Sequence, residues 1–282
     1  MNNKLLKNTR LAFIGCGVMA ESIIAGLLRQ NLVKSSQICA SHPRANRREE
    51  LKNKYEIEVF EHNSDAVDSL PENDSIVALC VKPQRIGGVL QEITASVKPQ
   101  QMIISIIAGA RIETISEALN NNFVVRTMPN TPSQIGAGMT AWTCAESVSD
   151  EQKSQVKMLL TALGKELYVE NEHQIDMATA LSATGPTYIF MMMEAMTDAG
   201  VHLGFSREVS KELVQQTMLG STLFAIESNK HPAELRNMVT SPGGTSAEAI
   251  YQMEKGSLRT VLSKAIYSAY KRAVDLGGKS KK

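Results

Sequence analysis

Two adjacent glycines followed by two hydroxyl residues, in Ser241-Pro242-Gly243-Gly244-Thr245-Ser246, form the densest concentration of potential chemistry in this chain. The string opens a helix-like run, and the N–H groups at a helix start are unpaired and partly positive, so they bind anions. It also suits a capped surface turn. Read as a site, it holds a small carboxylate. A second such place lies near the start of the chain. Gly15-Cys16-Gly17-Val18-Met19-Ala20 has the spacing G-x-G-x-x-A, directly after a strand-like run and directly before a helical one. Its glycines allow a tight turn and close approach of a pyrophosphate, and its alanine allows close helix-to-strand packing. Gly15, Cys16, Gly17, Val18 and Met19 are therefore expected to contact a dinucleotide.

The end of the second strand selects among dinucleotides. A site selective for NAD presents Asp or Glu there to the ribose 2′-hydroxyl. Here the chain reads Ala40-Ser41-His42-Pro43-Arg44-Ala45-Asn46-Arg47-Arg48, with no acid before Glu49. A hydroxyl at Ser41 and a cation at Arg44 suit a 2′-phosphate, which a carboxylate would repel. NADPH is the expected cofactor, with NADH possible.

The elements that position these residues follow from periodicity. In the first half, short apolar runs alternate with amphipathic segments, the sign of a largely parallel sheet covered on both faces. Strands are predicted over 10–14, 37–40, 75–81, 102–105, 123–127 and 139–143, and helices over 19–30, 46–55, 84–96 and 112–119. Right-handed crossovers collect the loops, and with them the ligand, at the carboxyl edge of the sheet. From Glu151 strands nearly vanish, apart from a short one over 166–169. Helices are predicted over 151–162, 174–202 with a break near Ala183-Thr184-Gly185-Pro186, 207–229 and 257–276. The segment 174–202 is hard to bury in a small monomeric domain, so it is expected to pack against a partner subunit. The fold class is thus an α/β Rossmann-type N-terminal domain, residues 1–168, followed by an all-α C-terminal substrate and dimerisation domain, residues 169–282.

Composition narrows the function. With 30 Lys+Arg against 29 Asp+Glu the formal net charge is +1, which points away from nucleic acid or an anionic membrane surface as partner and toward a small molecule. Cys16, Cys39, Cys80 and Cys144 are too scattered for a metal knuckle and read as reduced thiols of a cytoplasmic protein. His42, His62, His173, His202 and His231 share no ligand-like spacing, and no metal is expected. Residues Met1 to Arg10 read as neither a signal peptide nor a spanning helix, and the Lys279 to Lys282 tail as a frayed end.

Several further strings occur in order along the chain: Val81-Lys82-Pro83-Gln84, Arg126-Thr127-Met128-Pro129-Asn130-Thr131-Pro132, Gly185-Pro186-Thr187-Tyr188, Asp198-Ala199-Gly200-Val201, His231-Pro232-Ala233-Glu234-Leu235 and Val239-Thr240-Ser241-Pro242-Gly243-Gly244-Thr245. With the opening glycine motif, they make nearly the whole chain resemble the pyrroline-5-carboxylate reductases, the family of the last step of proline biosynthesis. The resemblance implies NAD(P)H-dependent reduction of 1-pyrroline-5-carboxylate to L-proline, and a helical domain that interleaves with that of another subunit. It implies a homodimer at least, with a decamer among the larger rings, and a substrate site at the shared interface. On this resemblance the amides of Gly243, Gly244 and Thr245 and the hydroxyl of Ser241 hold the substrate carboxylate. Ser246 addresses the ring nitrogen, stabilising an iminium or relaying a proton from water. Val81, Lys82 and Pro83, then Ala108 and Gly109, follow strands that end beneath the ribose and nicotinamide, and Asn63 reaches the adenosine side. The Met128–Thr131 loop is as well explained by turn geometry as by ligand contact.

The chain departs from the family where it matters. Threonine is usual at the place of Ser246, Ser-Gly-Ser-Gly-Pro-Ala-Tyr is common where Ser182-Ala183-Thr184-Gly185-Pro186-Thr187-Tyr188 stands, and an acid is common at Asn237. Two alternatives follow: a reductase of another cyclic imine or a β-hydroxyacid, or a divergent nucleotide-binding regulatory paralogue. A β-hydroxyacid enzyme would use a lysine in the substrate helix, and Lys165 and Lys211 sit outside such a motif; the regulatory paralogue would have lost the hydroxyls that Thr245 and Ser246 retain.

Overall fold

The computed structural model describes residues 3–278, so the expectation for Lys279 to Lys282 lies outside the described residues. Eight strands form one sheet: β1 (Arg10–Ile14), β2 (Ile38–Ser41), β3 (Glu58–Phe60), β4 (Ser75–Leu79), β5 (Met102–Ser105), β6 (Val124–Met128), β7 (Gly138–Cys144) and β8 (Gly164–Tyr168). Their order is β3-β2-β1-β4-β5-β6-β7-β8. The first six run parallel, β7 pairs antiparallel with β6, and β8 pairs parallel with β7. The strand order reverses at β1, which lies between β2 and β4, and the crevice outside the carboxyl ends there is where such sheets bind ligands.

The helices are α1 (Val18–Arg29), α2 (Ala45–Tyr55), α3 (Asn63–Asp68), α4 (Ile86–Ile93), α5 (Ile112–Leu119), α6 (Asp150–Thr161) and α7 (Glu172–Ala178), then α8 (Gly185–His202), α9 (Arg207–Ser228), α10 (Pro232–Met238), α11 (Thr245–Lys255) and α12 (Leu258–Gly278). Strand alternation divides the core. Leu11 and Phe13 of β1 pack with Ile24 and Leu27 of α1, while Ala12 and Ile14 pack with Val67 of α3 and Leu90 of α4 on the opposite face. Burial on both faces is why these strands read as unbroken apolar runs. β3, α3 and α10 escaped the periodicity because each is too short to show one.

By internal packing the chain falls into two units. One runs to Thr184 and resumes at Ala269; the other is Gly185–Ser268. This division differs from the expected boundary at 168/169, and the reason is a buried ion-pair cluster that keeps α7 on the sheet. Arg126 of β6 is the largest fully buried side chain. Its Nη2 donates to Asp176 Oδ1 at 2.6 Å and its Nη1 to Glu172 Oε1 at 3.1 Å, both acceptors lying on α7. Glu172 Oε1 also accepts the Ile112 N–H at the start of α5, at 2.9 Å. Between α7 and α8 the chain makes one π-helical turn, Thr179–Ala183. Asn130 fixes that turn by donating from Nδ2 to the Ser182 carbonyl at 3.1 Å and accepting the Met139 N–H at 2.9 Å.

The second unit is almost without a core. Among its described residues Val214 is the only buried apolar side chain, whereas Leu203 is 83% exposed and Val239 68%. No described helix is long and apolar enough to cross a membrane. So large an uncovered apolar surface is what an interface with another chain looks like.

Removing one partner of the Arg126 cluster strands a buried charge, whereas the intact cluster is nearly neutral in cost. Asp176→Ala is expected to lower stability by about 3–5 kcal/mol, read from urea unfolding at fixed protein concentration. A loss of under about 1 kcal/mol, the scale of an exposed pair, would show the cluster to be solvated.

Candidate active site

The turn from β1 into α1 is shaped by contact with the next loop. Gly15 has φ +81°, and a Cβ there would collide with Cγ1 of Val81. The tightness of this turn thus comes from the chain leaving β4, and only glycine satisfies both constraints. Gly17 is the N-cap of α1. No side chain caps that helix, and nothing stands within 4 Å of where a Gly17 Cβ would be. Open space in front of an uncapped helix start fits a diphosphate. Val18 is exposed at the same mouth. Cys16 takes part through its backbone, its N–H donating to the Ser41 carbonyl at 3.0 Å. Burial pushes its thiol up to about 12, so it stays protonated.

A chain of polar contacts then leads to the end of β2. The Gly15 N–H donates to Ser41 Oγ at 3.2 Å, and Ser41 Oγ donates to Asn63 Oδ1 at 2.7 Å. Asn63 in turn gives its backbone N–H to Glu92 Oε1 at 2.7 Å and its side-chain N–H to Glu92 Oε2 at 2.6 Å. Ser41 and Asn63 are therefore brought together, by a glutamate of α4 that no sequence pattern marked.

The three arginines after β2 separate into different jobs. Arg47 binds Glu21 at 2.5 Å and Glu50 at 2.8 Å. Arg48 binds Glu61 at 2.8 Å and the carbonyls of His42 and Pro43. Arg44 alone of the three is exposed with its guanidinium unengaged among the described residues, free to meet a phosphate. Glu21, in the first turn of α1, also accepts from Lys54 and Tyr55, each at 2.8 Å. Burial pushes the Glu21 carboxyl up, but the hydrogen bonds from Arg47, Lys54 and Tyr55 outweigh it and hold it at about 2.

Beyond the carboxyl ends of β4 and β5 lies a cavity of about 360 Å³ whose lining includes Pro83, Ala108, Gly109 and Leu276. Lys82 is exposed as the N-cap of a short turn over Pro83–Arg85, which shortens the helix expected from residue 84. Gly109, with φ +76°, faces the end of α12: its missing Cβ would lie 2.7 Å from the Leu276 carbonyl carbon and 2.8 Å from Gly277 N. Gly277 returns the relation, since a Cβ there would lie 3.2 Å from Gly109 O. The space expected to admit a nicotinamide ring at Gly109 is thus occupied on one side by the chain's own last helix.

The other glycine string lies in the second unit. Ser241-Pro242-Gly243-Gly244 closes a turn in which the Gly244 N–H donates to the Ser241 carbonyl at 3.0 Å, with Gly243 at φ +71°, the residue pattern of a type II turn. Gly244 is then the N-cap of α11, again with no side-chain cap. This corrects one expectation. The Gly244 amide is committed inside the turn, so the amides left for a carboxylate are those of Gly243 and of Thr245 and Ser246 in the first turn. The Thr245 and Ser246 hydroxyls have no partner among the described residues.

A doubly wound sheet, an uncapped glycine turn at its switch point and an uncommitted arginine beside β2 define a dinucleotide-binding oxidoreductase of the Rossmann class. Comparison with known proteins takes this further. A family model described as pyrroline-5-carboxylate reductase dimerisation matches residues 172–276, and one described as NADP oxidoreductase, coenzyme F420-dependent, matches residues 10–109. The pyrroline-5-carboxylate reductase of Pseudomonas aeruginosa is 40% identical over 272 residues, covering 96% of this chain and 98% of its own. Among solved structures, the pyrroline carboxylate reductase of Plasmodium falciparum with NADP bound superposes with a TM-score of 0.87 at 29% identity, covering 96% of this chain and 99% of its own. That of Coxiella burnetii superposes with a TM-score of 0.85 at 33% identity and the same coverage. The chain belongs to the pyrroline-5-carboxylate reductase family.

Two outcomes follow from the geometry around α1. Gly15→Ala adds a clash with Val81 and about 1–3 kcal/mol of backbone strain, so titration of NADPH fluorescence is expected to show binding weakened by at least about tenfold; unchanged affinity would remove the turn from the cofactor site. A carboxyl held at about 2 instead of 4.5 stabilises the fold above pH 4.5 and loses that contribution as pH falls toward 2. The difference in Tm between the unaltered chain and Glu21→Gln should accordingly narrow on acidification through that window, and a constant difference would contradict the pairing.

Proposed function

We propose that this chain reduces 1-pyrroline-5-carboxylate to L-proline with NADPH in preference to NADH, working in the cytoplasm as a homodimer or a larger ring such as a decamer. Support for the cofactor is the open, uncapped start of α1 together with the unengaged Arg44, and the NADP carried by the Plasmodium falciparum relative. When bound, the reduced nicotinamide supplies a hydride for the imine carbon. Every other requirement falls on the protein.

The imine nitrogen gains an electron pair in this reduction and needs a proton, while the ring must be held in one orientation. The observation that carries the reading is the turn Ser241–Gly244 with α11 behind it: it leaves the Thr245 and Ser246 amides open at a helix start, an anchor for one carboxylate. The Ser246 hydroxyl, uncommitted among the described residues, is then the group to address the ring nitrogen, where it donates a hydrogen bond or passes a proton from water. Serine retains that chemistry without the methyl that restricts a threonine rotamer. Supporting the assembly are the almost coreless second unit and the dimerisation model that covers it.

Turnover is measured as oxidation of NADPH by purified protein with 1-pyrroline-5-carboxylate. Ser246→Ala is expected to lower kcat by about 100-fold, and Ser246→Thr to keep it. Equal kcat in Ser246→Ala would take the hydroxyl out of the proton step, and absence of turnover despite NADPH binding would favour another cyclic imine or a regulatory role.

A further inference from the structure

Reading the end of β2 alone, the chain has no acid where NAD-selective sites place one; the fold nonetheless brings one there. Glu92 sits near the end of α4, far from β2 in sequence, yet both its carboxylate oxygens are tied to Asn63, at 2.7 and 2.6 Å. Asn63 Oδ1 is 2.7 Å from Ser41 Oγ. One carboxamide therefore separates a full negative charge from the side chain that ends β2 and receives the Gly15 amide. Glu92 pairs with no cation among the described residues, so its charge is not neutralised locally. Arg44 follows the same strand end as the N-cap of α2, exposed and with its guanidinium unengaged among the described residues. Opposite charges near the place where dinucleotides differ only by a 2′-phosphate act on selectivity in opposite directions: the cation favours the phosphate, and the carboxylate opposes it and suits the bare hydroxyl.

We infer that Glu92 is a cofactor-selectivity residue, which moderates the preference for NADPH that Arg44 creates and keeps NADH usable. The inference rests on the reading of the β2 end as the ribose side of the cofactor. It acts through charge as well as through the position of Asn63, and the two contributions respond differently to substitution. Loss of position weakens both cofactors alike. Loss of charge changes only their ratio.

The test is the preference for NADPH over NADH, read first as the ratio of the NADH to the NADPH dissociation constant by titrating nicotinamide fluorescence without substrate, and then as the ratio of kcat/KM for NADPH to kcat/KM for NADH with 1-pyrroline-5-carboxylate, both in low salt. In Glu92→Gln the ratio is expected to rise about threefold, the scale of a partly screened charge interaction, and in Glu92→Asp, which keeps the charge, to stay near the original value even if both rates fall. Glu92→Ala is a second neutral variant should the glutamine amide misplace Asn63. An unchanged ratio in both neutral variants, or an equal shift in Glu92→Asp, overturns the inference. Arg44→Ala separates this from the underlying reading: it is expected to lower the ratio, and if it does so while the Glu92 variants leave the ratio alone, only the inference fails. If neither residue moves the ratio, the ribose lies elsewhere.

Discussion

A helical unit that buries a single apolar side chain cannot supply its own stability, and much of this protein follows from that shortage. Residues 185–268 carry phenylalanines, leucines and methionines enough for a core, yet their helices turn them outward. The hydrophobic term is proportional to area removed from water, so the missing burial has to come from a second chain. Where a fold gains its burial from association, its apparent stability depends on protein concentration. A loop such as Ser241–Gly244 can remain open and polar on such a unit because its carrier helices are secured by assembly and the loop itself need not pack.

The sheet unit has the opposite character. Its core is complete on both faces, and several buried or half-buried charges join elements: Arg47 and Glu21 join α2 to α1, and Arg126 with Asp176 and Glu172 joins β6 to α7. Arg44, unengaged among the described residues, the amides opening α1 and the carboxylate of Glu92, held by Asn63 but by no cation among the described residues, share one edge of the sheet.

Much of this architecture was legible in the sequence because strand burial and helical amphipathicity are local properties. β1, β5 and α5 fall on their expected residues, and most other elements are shifted by only one or two. What stayed hidden depends on contacts between distant residues. Nothing around Glu92 announces that it will meet Asn63, and nothing in Arg44, Arg47 and Arg48 tells which will be paired. The glycine string of the second unit was visible, but the commitment of the Gly244 amide to its own turn required knowing that the turn closes. Arg126 stands in a recognisable motif, while its acidic partners on α7, Glu172 and Asp176, resemble ordinary surface residues of a helix start.

The facing glycines at 109 and 277 have a consequence for how such a chain can change over time. Each occupies the space a methyl group would need at the other, one in a loop lining the cavity beyond β4 and β5 and one at the end of α12. A side chain acquired at Gly109 displaces the backbone of the facing segment, and one at Gly277 presses on the Gly109 carbonyl and on Arg111, which must give by a few tenths of an ångström. The length of the final helix and the width of the loop after β5 are thereby linked traits.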